Sequence, residues 1–555
     1  MNQEKYKGNV VTMPRPQNFK TPRLLMTDAY TFGSSEFESK EAMDKSVYYI
    51  TFRSILNNIN PFLYNKGDDR IILAGLSKLV YNLFAEKITM EEIYATDRFI
   101  EQAKVTGNGL TKYNYPRKLW LDILCDYNGR PPIEIIGLAP GSICYPNEPC
   151  IQITSSSLAN EQMGVLAAWF ESQLLMVWGP SEFVTQNEHW LLKYKELLFK
   201  YDSSLTEDTA DFLARISLID FGARSAMTPQ ETEWYGEYNL WTFSGSDSFA
   251  GCYQAWENNN RVNEGLFNTV NALAHRNVQT FKYEADCYQS LYNAMGDNHI
   301  GSFVCDCYSS YDAISNPLLT LALDAKKNDN GKTIIGRVDS GNAIEQIIYL
   351  CRLAHKNGLF TTKIIDGREW RFGTNFKAMA SNDVTWEGMV EIYEALAEES
   401  FMPYSWVLSG MGGKKRNDIA RDNLSAKYAL CAYGEDDTPA CKFSEDLGKG
   451  TLPGPHKLLR TNTALVESKT VVFSNEDGID ARVKYYDGSK HNDPFGSILN
   501  ETVNDIKLRI KQQVATMPLT LVTKKNLKFP ISDLLREKRR ELVATYAPKK
   551  QIFNY

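Results

Sequence analysis

The chain lacks the short signatures by which many enzymes declare themselves. No GxGxxG follows a strand-like run, and neither HExxH nor GxSxG occurs. These absences remove a dinucleotide-binding fingerprint, a zinc protease helix and a nucleophile elbow from consideration. None of the ten cysteines forms a CxxC pair, and the closest two, Cys305 and Cys307, have no histidine cluster beside them. Zinc is therefore not expected, and the thiols read as reduced cysteines of a cytoplasmic protein. The opening MNQEKYKGNVVTMPRPQNFK contains no apolar signal-peptide core. The longest apolar run, Met163 to Gly179, carries Glu171 at its centre and is ended by Pro180, so it reads as a buried helix and not a membrane span. Positive charge is not in excess either: 61 basic against 68 acidic residues leave a net charge of -7, which disfavours duplex nucleic acid as a partner.

What remains is a folding composition, with 43% hydrophobic and 23% charged residues, so long disorder is excluded. A length of 555 residues suggests three or four structural units, fewer if one of them is a barrel. Residues 1 to about 30 read as an irregular arm. Strand-like PIEIIGL (Pro132 to Leu138) and CIQIT (Cys150 to Thr154) flank a loop rich in turn residues. Two helices are expected between 160 and 200, the second with an apolar stripe at Trp190, Leu191, Tyr194, Leu197 and Leu198.

Beyond residue 215 the rhythm changes. Short apolar runs recur every 20 to 40 residues, each ending in Gly, Asp, Ser or Arg: ISLIDFGAR, LWTFSGSD, SFVCDCYS, TIIGRVDSG, AMASND and WVLSGMGG. Helical segments such as NAIEQIIYLCRLAHKNG lie between them. Buried parallel strands joined by helices produce this pattern, and in an α/β barrel the polar strand ends collect on the catalytic face. The last hundred residues turn polar and basic, and LREKRREL reads as a solvated helical face.

Two turns carry chemistry. TIIGRVDSGNA runs a strand into Gly336, Arg337, Asp339, Ser340 and Gly341 just before a helix, where free backbone N–H groups and the helix dipole favour an anion. Arg337 can fork onto phosphate oxygens, and Asp339 can bind a sugar hydroxyl or a magnesium-bound water. SGMGGKKRNDIARD (Ser409 to Asp422) repeats the arrangement, which suggests a ligand with more than one phosphate. Two decoys are set aside. NDNGKT has Lys326 where a phosphate loop needs its first glycine, and Asp366-Gly367 reads as a tight hairpin turn.

Taken in order, DAY at 28, PIEI at 132, AWFE at 168, DFGAR at 220, FSGSDSFAG at 243, the His275 segment, SFVCDCYS at 302, RVDSG at 337, SGMGG at 409, ARD at 420 and ACK at 440 resemble the nicotinamide phosphoribosyltransferase family, over some 400 residues. The resemblance implies a type II phosphoribosyltransferase: an α/β barrel domain beside an α+β domain built from N- and C-terminal segments, paired as a homodimer with shared active sites. Expected limits are 1–150 for the arm and part of the α+β domain, 151–430 for the barrel, and 431–555 for the segment completing the α+β domain.

The implied substrates are nicotinamide and phosphoribosyl pyrophosphate, with Mg2+ as cofactor and ATP as a coupled substrate, and no nucleic acid or membrane as partner. By position, Phe221 and the partner's Tyr30 sandwich the pyridine ring, while Asp247 and Ser302 meet its amide. An acceptor-only carboxylate at 247 would repel the carboxylate of nicotinate. Arg224 and Arg337 face the nucleotide, Asp306 and Asp339 lie near ribose and magnesium, Asp383 binds ribose, and Gly412 and Gly413 meet the 5′-phosphate. Arg53, Arg421, Lys427 and Lys442 hold pyrophosphate. His275 matches the histidine that ATP phosphorylates, but the acid that precedes it in the family is here Ala274. Two alternatives stay open: the same reaction on nicotinate or another base, and a catalytically silent homologue that binds a nucleotide.

Overall fold

Hydrophobic runs of five or six residues ending in polar residues pack best as buried parallel strands; four segments of the chain do so, and three shorter ones complete a seven-stranded parallel sheet. The computed structural model describes residues 20–32, 37–54, 67–103, 115–155, 162–382, 384–412, 419–443, 450–460, 470–488, 493–521 and 530–546. The seven strands are β1 (Leu218–Asp220), β2 (Gly245–Ser246), β3 (Asn271–Ala272), β4 (Ile300–Val304), β5 (Thr333–Val338), β6 (Phe376–Ala380) and β7 (Val407–Met411). Their spatial order is β2-β1-β7-β6-β5-β4-β3, with every pairing parallel. The two ends meet, because Gly245 of β2 bridges Asn268, which runs into β3. The sheet thus curls into a ring in which chain order is kept, as an α/β barrel requires.

Local chemistry fixes where the connecting helices begin. Thr228 caps Pro229–Asn239 by accepting from the Glu231 N–H, with Pro229 in the first turn. Asn342 caps Ala343–Lys356 in the same way through Glu345. That second helix buries Ile347, Leu350, Cys351 and Ala354, one face at helical spacing, against the barrel wall. Inside the ring, Ile219, Ile335 and Met379 form a separate small cluster that floors the barrel mouth.

A second sheet of six antiparallel strands draws on both ends of the chain. In spatial order its strands are Thr438–Pro439, Lys427–Tyr433, Ser46–Thr51, Ile151–Ser155, Ile133–Gly137 and Val483–Tyr486. Pairing of residues some 380 positions apart, such as Thr51 with Lys427, makes this an α+β domain assembled from N- and C-terminal segments. The architecture is the expected fold class. The limit expected at 150 falls just before Ile151–Ser155, and that at 430 inside Lys427–Tyr433, both strands of this sheet.

One local expectation differs in detail, and two others hold. The apolar run at Met163–Gly179 is not one helix but short turns, Val165–Trp169, Glu171–Leu174 and Leu175–Val177, leading into the long helix Trp178–Tyr201. The stripe from Trp190 to Leu198 is buried as expected, and no helix among the described residues is long and apolar enough to cross a membrane. Asp366 and Gly367 form the two-residue turn of a hairpin, both with positive φ, between Phe360–Ile365 and Arg368–Gly373.

Candidate active site at the barrel mouth

The carboxyl ends of the seven strands carry the site. Phe221 follows β1, Asp247 follows β2, His275 stands three residues after β3, Asp306 two after β4, Asp339 directly after β5, and Gly412 directly after β7. Each was expected from sequence, and the barrel brings them to one face. Gly341, with φ of 76°, turns the chain back from β5 into its helix, which only a residue without Cβ does at little cost.

Parallel-sheet alternation explains which side chains point inward. Ile335 sits in the floor cluster, so Arg337, two residues on, rises from the same face of β5. Ser302 pairs with Ile335 across the sheet, is buried, and lies 4.0 Å from the Met379 sulfur through its hydroxyl. The Phe221 backbone N–H donates to the Met411 carbonyl at 2.8 Å, which holds the ring over β7. There Gly410 has no side chain, and a Cβ at that position would lie 2.2 Å from the Phe221 ring. The glycine therefore clears a flat seat for the aromatic ring.

Asp247 stands at the end of the neighbouring strand β2, its backbone N–H bonded to the Asp220 carbonyl and its carboxylate accepting from Thr269 at 2.5 Å. Burial raises its pKa and Asp220 adds to the rise, while the Thr269 bond and the nearby Arg337 charge oppose it. Asp220 is itself held by the Gly222 N–H and the Ser248 hydroxyl. Arg337 donates through Nη2 to the Leu273 carbonyl at 3.0 Å, and its buried Nε has no partner among the described residues.

A second constellation faces it. His275 Nε2 lies 2.9 Å from Asp306 and 3.7 Å from Asp339. Ser340 donates to the other Asp306 oxygen at 2.6 Å, and Ser381 donates to Asp339 at 2.8 Å. The orienting carboxylate that Ala274 cannot provide is thus supplied by Asp306 from the next strand. The two aspartates offer only hard oxygen donors, which fits magnesium held by one or two carboxylates and completed by water and substrate phosphates. Among the described residues, no group of three or more His, Cys, Asp or Glu forms a closed metal site.

The expected basic set lies mainly on the antiparallel sheet. Thr51 pairs with Lys427 in register, which puts Arg53 beside it, and the Arg53 Nε donates to the Ser425 carbonyl. Burial lowers the Lys427 pKa, and the charges of Lys442 and Arg53 lower it further, so three expected cations share one field. Arg421 is exposed and pairs with its neighbour Asp422 at 2.9 Å. Tyr30 is exposed on the short helix Ala29–Phe32, and Glu171 is the strongest charge acting on it. Arg224 is exposed in the turn after Phe221. Asp383 and Gly413 lie outside the described residues.

Sequence reasoning missed Thr269 and Ser381, which together with Ser340 orient the carboxylates, and Glu171, which was used only to exclude a membrane. Ser340 and Ser381 stood in the polar strand ends and were legible there. Thr269 was not, because it reaches Asp247 only when the barrel closes.

No family model matches the chain, and no curated protein matches it. Solved structures do. The human nicotinic acid phosphoribosyltransferase superposes with a TM-score of 0.57 at 15% identity, covering 93% of this chain and 100% of that one. A nicotinate-nucleotide pyrophosphorylase from Pyrococcus furiosus gives 0.54 at 14% identity, covering 91% and 99%. At these identities the likeness establishes a shared fold.

Proposed function

We propose that this chain, which has the fold of the type II phosphoribosyltransferases, transfers the phosphoribosyl group of phosphoribosyl pyrophosphate to nicotinamide, giving nicotinamide mononucleotide and pyrophosphate. Its two superposed neighbours are described as acting in nicotinate chemistry, which supports a pyridine base as acceptor. The observation that carries the amide reading is the Asp247 carboxylate at the carboxyl end of β2, next to the strand that runs into Phe221, held by Thr269 in a partly desolvated position. A carboxylate accepts the N–H of an amide and repels a second carboxylate.

In this reading Phe221 stacks the base over Gly410, and Ser302 and Asp247 hold the amide, so the ring nitrogen faces the sugar carbon. Arg337 offers its free Nε to the nucleotide. Asp306 and Asp339 would hold magnesium, which neutralises the departing pyrophosphate when bound. Arg53, Arg421, Lys427 and Lys442, with Tyr30, would complete the site of a second copy, which the head-to-tail homodimer of the resemblance requires. ATP coupling would run through His275. Its Nε2 is engaged by Asp306, so Nδ1 would be the nitrogen that accepts phosphate.

One observation favours a second reading. The unpartnered Arg337 Nε could pair with the carboxylate of nicotinate instead of a phosphate. Product formation with magnesium, phosphoribosyl pyrophosphate and either base, each with and without ATP and read by mass spectrometry, separates the two. Mononucleotide from the amide alone supports the proposal. Product from nicotinate alone moves the assignment to the acid, and no product with either base leaves a silent homologue.

A further inference from the structure

One side chain joins the turns that follow β1 and β2. Asp220 ends β1 immediately before Phe221 and is 3% exposed. One of its carboxylate oxygens accepts the Gly222 N–H at 2.9 Å and the other accepts the Ser248 hydroxyl at 2.7 Å, so it holds the residue after Phe221 and the residue after Asp247. Its backbone carbonyl accepts the Asp247 N–H at 2.9 Å. We propose that Asp220 is the positioning residue of the base site: it fixes the Phe221 turn and the Asp247 turn as one unit and sets a second negative charge behind Asp247. The inference rests on the base site proposed above and adds to it a residue that no substrate need touch.

An aspartate that accepts from the N–H two residues on forms an ordinary Asx turn, which shapes one strand end and nothing more. Asp220 goes further, because its second oxygen crosses to the neighbouring strand. The residues it reaches are tied down in turn. Ser248 donates its N–H to the Ser246 hydroxyl at 3.1 Å, and Ser246 pairs with Asp220 in the sheet. Ser246 also donates its N–H to the Asn268 carbonyl at 3.0 Å, and Asn268 leads directly into Thr269, the donor to Asp247. Ring platform, amide acceptor and the acceptor's own donor therefore share one hydrogen-bonded frame that meets at Asp220. A buried carboxylate with both oxygens occupied turns little, so this geometry is set before substrate arrives.

Charge gives the second part of the argument. Asp247 is faced by Asp220 from β1, by the Cys252 thiol from the helix Phe249–Glu257 and by Arg337 from β5, while Thr269 carries no charge. Burial, and with it the Asp220 charge, pushes the Asp247 carboxyl up, against the Thr269 bond and Arg337. The same field reaches Cys252, whose thiol is pushed up to about 11 by burial and by the two aspartates, against a bond with Ser246. A fixed negative charge behind the acceptor disfavours a further anion such as the carboxylate of nicotinate and leaves a neutral amide nearly unaffected. It also favours the pyridinium that forms as the ring nitrogen takes the sugar carbon.

Asp220→Asn tests the assignment, since the amide oxygen can keep the Gly222 bond and the Ser248 hydroxyl can turn to accept from the amide nitrogen. Initial rates of mononucleotide formation from nicotinamide and from nicotinate, between about pH 5 and 8 at saturating phosphoribosyl pyrophosphate, are measured for the native protein and the variant. The acid limb of kcat/KM for nicotinamide should move to lower pH, because loss of the Asp220 charge lowers the Asp247 pKa. The amide-to-acid preference should fall at least about threefold, while kcat/KM for nicotinamide at neutral pH stays within about threefold of native. Asp220→Ala, which removes both acceptors, should raise KM for nicotinamide about tenfold, and asparagine at the same position should restore it.

A residue that only shapes the end of β1 would leave both the acid limb and the preference where they stand in the native protein. The inference is therefore overturned if the native protein uses nicotinamide while Asp220→Asn shows the native acid limb and the native preference, or if a folded Asp220→Ala keeps the native KM. Absence of product from nicotinamide with the native protein overturns the base site itself, and this inference with it. Thermal unfolding of both variants shows that a change in KM is not a loss of fold, and the asparagine variant alone decides if the alanine variant does not fold.

Discussion

Gly410→Ala should damage the base site without touching substrate itself. The glycine backbone is not left-handed, so alanine fits the main chain, and only the new Cβ matters. It would lie 2.2, 2.7 and 3.1 Å from three atoms of the Phe221 ring, where ordinary contact begins near 3.4 Å. The Phe221 backbone is tied to Met411, so the ring must swing away by about 1 Å instead of moving as a whole. Stacking of an aromatic ligand contributes about 0.5–1.5 kcal/mol, up to roughly tenfold in affinity, and a displacement of this size at a reacting centre costs up to about 100-fold in rate. We expect KM for the pyridine base to rise about tenfold and kcat/KM to fall between about 10- and 100-fold. KM for phosphoribosyl pyrophosphate should stay within about twofold, because no phosphate ligand moves. Stability should fall by only about 1 kcal/mol, since the half-buried ring has solvent to retreat into. Initial-rate kinetics with each substrate varied in turn measure all of this. If the variant keeps its native kcat/KM for the base, Phe221 is not the platform and the base does not bind over β7.

Three further outcomes follow from the same geometry. Asp247 must be ionised to accept an amide N–H, and burial holds its pKa above the ordinary carboxylate range. Use of the amide should therefore fail as pH falls, at a pH above that at which an ordinary aspartate protonates, and Asp247→Asn should shift the profile and relax amide-to-acid preference; an unchanged preference refutes the role. His275→Asn should abolish stimulation by ATP while changing the ATP-independent rate less than about threefold, and stimulation that persists places the phosphoryl acceptor elsewhere. His189 and His456 are buried, and burial lowers their pKa values to about 4 and about 3. The unfolded chain binds their protons first, so each contributes stability that is present above about pH 6.5 and lost as pH falls toward those values, at about 1.4 kcal/mol per pH unit. His456→Phe should flatten the acid limb of a denaturation series between about pH 6 and 4, and an unaltered slope refutes the assignment.

Much of the barrel was readable because its grammar is local. An apolar run of five or six residues ending in Asp, Ser, Arg or Gly records a buried strand and its exposed carboxyl end, and Thr228, Pro229 and Asn342 mark where helices start. The hairpin turn at Asp366-Gly367 was likewise legible, since positive φ at both residues is a property of the dipeptide. The pairing of the antiparallel sheet was not readable. Ile151–Ser155 joins the N-terminal strands and not the barrel because its partner Ser46–Thr51 lies a hundred residues earlier, and nothing local signals that pairing.

The residue types at the site, and their places at strand ends, were determined by the sequence alone, because strand length and polarity switch within a few positions. Tertiary structure decided which of them meet. Ring closure between Gly245 and Asn268 brings Thr269 to Asp247, and parallel register between β4 and β5 sets Asp306 and Ser340 around His275. Contacts between distant segments depend on the packing of whole elements, a property that no window of the chain contains.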